Sequence, residues 1–513
     1  MRIVLDLGQA ACLLVLALTL ACSCASIWLR RAARTSVDVV HRVRRSVRLS
    51  MGHHAPEEAT AHLRKLVEQE CPSFMQPYTR PKELWASHPV VQTTVLYAKL
   101  HKIPDQRPAR ALAPGTAGDG SLPAATRAIT ATRETLRCAD GGSVAIDWLE
   151  LAAEGATSRR RDDAPVVVAF PGVGACESHN GFAPMLLGAL LERGHAAGCA
   201  PAVCSVVYPG FNGLALDSAR LPGTAYLSTD DPGVVLRHVR AAHPRSPLVF
   251  IGCSFGSAMV ANWASRNADE ARALRIDAIL LYAYGHSAAA TGGVADAVYS
   301  GMTGRFVAGK WRRTIFDGSR GVGHKNVAFL RALERTRPAF RLDALARAST
   351  VGEWDTACLP AYGFRSLAHM IDKADPIFTF RSLEAVCPVV LINADDDWLC
   401  PSARIEAGRR ELYDLMDNVV VVSTHGGGHL GWVDQVGGDA GGKAATGEHA
   451  SWIVDFTSQL VWAAAAGKLR RAVSKEALLA AGAGARGGLT DGERVDGAWR
   501  GQGRAEGTDG RAC

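Results

Sequence analysis

The chain has 513 residues, 48 % of them hydrophobic and 21 % charged, which excludes a wholly disordered or collagen-like polypeptide. The 57 Lys and Arg exceed the 50 Asp and Glu by seven, and spread over this length that excess gives no argument for nucleic acid. Thirteen cysteines, with no Cys-x-x-Cys pair, exclude the disulfide framework of a small secreted protein and read as buried reduced thiols.

Residues 10–29 form an uncharged, mostly apolar run, close to the roughly 20 residues a helix needs to cross a hydrocarbon core. Arg30, Arg31 and Arg34 end it, and Arg42, Arg44, Arg45 and Arg48 follow. Positive charge on the C-terminal side predicts a single-pass anchor with the body of the protein in the cytosol. A cleaved signal peptide is the alternative, because small residues around 21–26 suit cleavage. The length of the run and an n-region with one Arg favour the uncleaved anchor. Residues 1–50 are read as anchor and basic neck, and 51–130 as an extension ending in a linker (about 103–127) rich in Pro, Ala, Gly and Arg.

Residues 131–466 alternate short apolar runs with longer segments, the rhythm of a doubly wound parallel sheet. Buried strands are expected at 166–170, 203–208, 248–252, 278–282, 389–393 and 419–423, and helices at 184–193 and 232–242. Residues 467–513 are Ala, Gly and Arg with little to bury, and are read as a disordered tail. In such sheets ligands gather beyond the carboxyl ends of the strands, so chemistry is sought in the residues just after each run.

After the third run stands Gly252-Cys253-Ser254-Phe255-Gly256, followed by a helical segment at 257–263. A tight strand-to-helix reversal lifts the serine hydroxyl out of the sheet, and small flanking residues let the chain turn. Cys253 beside it is read as packing. A serine hydroxyl needs a base, and the base needs an orienting acid. The fifth run leads into Asp395-Asp396-Asp397 and the sixth into His425-Gly426-Gly427-Gly428-His429. The order Ser, acid, His is that of α/β-hydrolases, so Ser254, Asp397 and His429 are the expected catalytic triad. Asp397 is preferred to Asp396 for its spacing to Pro401. Two backbone amides are expected to hold the oxyanion, those of Val173 after the first run and of Phe255 after the nucleophile.

The residues resemble more than a generic sheet enzyme. Trp85 to Thr93, Asp140-Gly141-Gly142, Ile146-Asp147-Trp148, Ser218-Ala219-Arg220-Leu221, Glu353-Trp354-Asp355 with Tyr362-Gly363-Phe364, Asp396-Asp397 and Gly426 to His429 are similar to the motifs of the YheT-like branch of the α/β-hydrolases. That branch includes the mammalian abhydrolase-domain proteins 1 and 3. The resemblance covers about residues 85–452 and implies an α/β-hydrolase fold; residues 300–360, which lie between sheet strands, are expected to form a helical cap over the pocket. The resemblance also implies membrane-anchored hydrolysis of carboxylic esters, phospholipid or acylglycerol among them, with Ser254, Asp397 and His429 in the triad. The branch's Asn-His-Arg-Gly turn is replaced here by Tyr208-Pro209-Gly210-Phe211-Asn212-Gly213, and Trp398 replaces the Pro of its Asp-Asp-Pro. The expected partners are a lipid or small ester substrate and the membrane, with no cofactor, no metal and no nucleic acid. A serine peptidase of the same fold and a non-catalytic membrane binding module are the alternatives.

Overall fold

The computed structural model describes residues 48–50, 63, 66–75, 129–151, 164–172, 182–284, 302–318, 321–374, 387–397, 418–424, 426–432 and 452–469. Residues 1–45 separate from 46–513 as a unit of their own, and every described residue lies in the second unit. The apolar run 10–29, the linker 103–127 and the tail beyond residue 469 fall outside the described residues. Among the described residues no helix is long and apolar enough to cross a membrane.

Nine strands form one sheet: β1 (Arg48–Ser50), β2 (Ile129–Arg137), β3 (Ser143–Leu151), β4 (Val166–Phe170), β5 (Ala202–Val207), β6 (Leu248–Cys253), β7 (Ile276–Tyr282), β8 (Val389–Ala394) and β9 (Val419–Thr424). Their order is β1-β9-β8-β7-β6-β4-β5-β3-β2. β4 to β9 are the six runs expected from the sequence, and they pair in parallel. Except for one position in β7, every residue of these six strands is buried. A strand covered on both faces has no polar side to show, which is why these runs are continuous in Val, Ile and Leu.

The antiparallel part of the sheet has a different logic. β2 and β3 make a hairpin at one edge, with β3 antiparallel to β5. β2 alternates partly buried and exposed residues, so its apolar content is too low to mark it as a strand. Arg133 of β2 grips Asp147 of β3 by two hydrogen bonds of 2.6 and 2.7 Å, and Trp148 donates to Glu134 at 3.1 Å. At the other edge β1 pairs antiparallel with β9, Leu49 opposite Val422. The last three residues of the expected basic neck therefore close the sheet.

Helices are α1 (Pro72–Met75), α2 (Phe182–Ala196), α3 (Asp231–Ala242), α4 (Phe255–Arg266), α5 (Ala268–Ala273), α6 (Met302–Arg312), α7 (Gly323–Thr336), α8 (Leu342–Arg347), α9 (Val351–Tyr362), α10 (Leu367–Ala374) and α11 (Trp452–Ala465). Strand alternation assigns each side chain to one of two layers. Val166, Val168 and Phe170 pack with α3 and α4. Val167 and Ala169 pack with α2 and α11. The result is a mostly parallel sheet with helices on both faces, the architecture of the α/β-hydrolase expectation.

Three boundaries differ from expectation. Residues 66–75 belong to the body: Val67 and Cys71 are buried, and Trp452 of α11 donates to the Ser73 carbonyl at 2.7 Å. Leu469, assigned to the tail by composition, is also buried, and Lys468 pairs with Glu70 at 2.6 Å. The helical insertion between β7 and β8 runs to Ala374, past the expected end near 360.

That insertion is tied to the body through residues of the resemblance motifs. Trp354 donates to the Pro222 carbonyl at 2.6 Å. Asp355 accepts from the Thr224 amide at 2.9 Å and hydroxyl at 2.6 Å. Glu353 accepts from the Ser349 amide at 2.7 Å while Thr350 caps the Glu353 amide, closing the first turn of α9. Buried Asn326 of α7 reaches the Leu216 amide at 2.8 Å.

Candidate active site

β6 ends at Cys253 and α4 begins at Phe255, leaving Ser254 alone at the turn with φ 52° and ψ −114°. A left-handed φ on a non-glycine residue costs energy, and surrounding structure must hold it. Here the Ser254 amide donates to the Tyr282 carbonyl of β7 at 2.8 Å, and the Ser257 hydroxyl donates to the same oxygen at 2.8 Å. The flanking glycines are required by close approach. A Cβ on Gly252 would lie 2.6 Å from Cα of Ser257, and one on Gly256 would overlap the Phe170 carbonyl. Cys253 points into the layer of α2 and α11 and is fully buried. Burial pushes its thiol well above the usual range, so it packs rather than reacts.

Beyond β9 the chain runs through Gly426, Gly427 and Gly428 at φ 123°, 127° and 56° and reaches His429. The angles of Gly426 and Gly427 suit glycine, and a Cβ at Gly427 would collide with the Trp432 indole. Trp432 donates to the Thr424 hydroxyl at 2.8 Å, and that hydroxyl donates to the Gly426 carbonyl at 2.6 Å. Beyond β8, Asp397 turns inward and is 2 % exposed.

The structure brings these three side chains into one hydrogen-bonded chain. His429 Nε2 lies 2.7 Å from Ser254 Oγ, and His429 Nδ1 lies 2.9 and 3.1 Å from the Asp397 carboxylate oxygens. With its Nδ1 proton given to the carboxylate, the imidazole presents Nε2 as acceptor to the serine hydroxyl. Such an arrangement can draw the proton from Ser254 as its oxygen attacks an electrophile. Asp396 takes no part in that chain: its Oδ1 accepts from the Gly428 amide at 2.8 Å.

Phe255, the second expected oxyanion donor, opens α4, where unpaired amides and the helix dipole favour negative charge. Its ring stacks on Tyr226 and meets Tyr208 edge-on, each 6.2 Å away. The other expected donor, Val173, lies outside the described residues, as do His425, Trp398 and Pro401. Its neighbours can be placed: a Cβ on Gly172 would be 3.2 Å from that of Ser254. Tyr208, the first residue of the turn that departs from the branch, donates to the Pro171 carbonyl at 2.8 Å and fastens this strand end. Sequence reasoning assigned no role to Tyr208. Its one signal was the departure itself.

No protein-family model matches the chain. Over 310 residues it is 22 % identical to phospholipase ABHD3 of Bos taurus, covering 59 % of this chain and 66 % of the relative. The mouse phospholipase ABHD3 is 23 % identical over 307 residues with the same coverage, so the match spans just under two thirds of these relatives. Among solved structures, a Rhizomucor miehei esterase covers 73 % of this chain and 90 % of its own at 16 % identity and TM-score 0.38. An acylaminoacyl peptidase of Pyrococcus horikoshii covers 59 % of this chain and 38 % of its own at 15 % identity and TM-score 0.34. The chain resembles an α/β-hydrolase branch, and phospholipase ABHD3 is among the proteins it is similar to.

Proposed function

We propose that the protein is a serine hydrolase of carboxylic esters that acts on lipid acyl esters, phospholipid or acylglycerol, at a membrane. The carrying observation is the 2.7 Å contact of Ser254 Oγ with His429 Nε2, backed by Asp397 on the far side of the ring. Ser254 Oγ attacks the acyl carbon while its proton passes to His429 Nε2, and Asp397 stabilises the imidazolium. The amides of Phe255 and Val173 hold the oxyanion of the tetrahedral intermediate. His429 returns the proton to the departing alcohol, leaving an acyl-serine. A water deprotonated by His429 then attacks the acyl carbon, and collapse restores Ser254 with release of the carboxylic acid. Every step uses groups of the chain and water, with no metal or cofactor.

The lipid part of the reading rests on three supports. The relatives named above are phospholipases. The run at 10–29 is long and apolar enough to hold the chain at a bilayer, with the body in the cytosol. Residues 302–374 carry thirteen Lys and Arg against six Asp and Glu, an excess of seven within the helical insertion. A cationic insertion attracts a substrate with an anionic headgroup.

The test compares wild type and Ser254→Ala on phospholipid, acylglycerol, nitrophenyl ester and peptide substrates. Release of fatty acid from the lipid esters, lost in the variant, is the expected result. Cleavage of peptides with no action on lipid esters would replace this reading by the peptidase one.

A further inference from the structure

Three consecutive aspartates follow β8, and the proposed chemistry uses one of them. Adjacent carboxylates repel, so a second one near the site needs donors of its own. Asp396 has one: its Oδ1 accepts the Gly428 amide proton at 2.8 Å. Gly428 immediately precedes His429, so neighbouring carboxylates hold neighbouring residues. Asp397 holds the imidazole, and Asp396 holds the backbone that carries it.

The backbone in question needs holding. Gly426, Gly427 and Gly428 have no side chains to anchor them, and glycine has more conformational freedom to lose than any other residue. At the upstream end Thr424 and Trp432 fasten the Gly426 carbonyl. At the downstream end Asp396 fastens the Gly428 amide. A charged acceptor strengthens such a bond beyond that of a neutral one. We infer that Asp396 is a positioning residue, which fixes the glycine turn so that His429 Nε2 stays within hydrogen-bond reach of Ser254. The inference rests on the proposed Ser254–His429–Asp397 chemistry.

The experiment uses the full chain purified in detergent, with an ester substrate and a fluorophosphonate probe. Asp396→Ala removes the acceptor, while Asp396→Asn keeps a carbonyl oxygen in its place. Loss of one positioning hydrogen bond is expected to lower kcat about tenfold with KM changed less than about twofold. Asp396→Asn should recover most of that loss. Labelling of Ser254 per folded molecule should slow in parallel in Asp396→Ala, and amide exchange of the peptide spanning Gly426–His429 should speed up. A merely structural role would lower the melting temperature and leave the labelling rate per folded molecule unchanged. If Asp396→Ala does not fold, Asp396→Ser takes its place, since its shorter side chain falls short of the amide.

A kcat for Asp396→Ala within twofold of wild type overturns the inference. An Asp396→Asn as slow as Asp396→Ala assigns the effect to charge and overturns it too. An Asp396→Asn that loses all activity while Asp397→Asn keeps it makes Asp396 the acid instead. Unchanged activity in Ser254→Ala would be a failure of the underlying hydrolase reading, and this control separates the two.

Discussion

Ser254 is strained, His429 is held on glycines, and Asp397 is buried, and each feature has a separate structural cause. The serine cannot relax because its amide is bonded to Tyr282 of the neighbouring strand. The histidine cannot swing freely because both ring nitrogens are engaged. A group acting through such a chain gives mutants that are grossly non-additive, since each member is useless without the others. His429→Ala and Asp397→Asn are therefore each expected to lower kcat by about 10⁴-fold, in line with triads of this type. The double variant should be no worse than the weaker single. Steady-state hydrolysis of a nitrophenyl ester checks this, and an Asp397→Asn within tenfold of wild type would remove Asp397 from the role.

At the scale of elements, the insertion is fastened to the body by a buried carboxylate. Asp355 of α9 is fully buried against Thr224, and burial, opposed by the two hydrogen bonds from Thr224, raises its pKa to about 6. Between pH 4 and pH 6 the folded protein keeps that proton and the unfolded chain does not, so raising the pH favours unfolding. The stability this proton contributes is present below about pH 4 and lost as pH passes 6. The size is of order 3 kcal/mol, from about 1.4 kcal/mol per pKa unit. Urea unfolding of wild type and Asp355→Asn at pH 4.5 and 7 isolates it, because other groups cancel in the difference. Wild type should lose stability relative to the variant as pH rises, and a difference that does not change with pH would contradict the assignment.

Legibility in the sequence followed burial. The six central strands could be read because both their faces are covered, whereas β2 exposes one face and looks like a loop. The residues Ser254, Asp397 and His429 stand out because each follows a readable strand. Asp396 and Tyr208 did not, since their partners are the Gly428 amide and the Pro171 carbonyl, and a backbone partner leaves no mark in the sequence. The resemblance motifs around Trp354 and Asp355 turn out to fasten the insertion rather than to form part of the hydrogen-bonded chain at Ser254.

At the scale of the whole molecule, the proposed anchor at 10–29 precedes β1 in the chain. Residues 48–50 pair with β9, whose far end leads toward His429. Removing residues 1–45 leaves that strand in place, while removing residues 1–50 bares the edge of β9 as a template for association. The shorter deletion is expected to leave membranes in a carbonate wash and remain monodisperse. The longer one should also leave membranes but aggregate, as size-exclusion chromatography would show. Integral membrane behaviour after deletion of residues 1–45 would contradict a single N-terminal anchor.

The most direct test of the central claim is covalent labelling of the purified full chain with a fluorophosphonate probe, comparing wild type with Ser254→Ala. The account predicts that wild type is labelled at Ser254, found by peptide mass, and that the variant is not. A folded wild type that takes no label, or a Ser254→Ala that labels as fast, would contradict an activated serine at the end of β6.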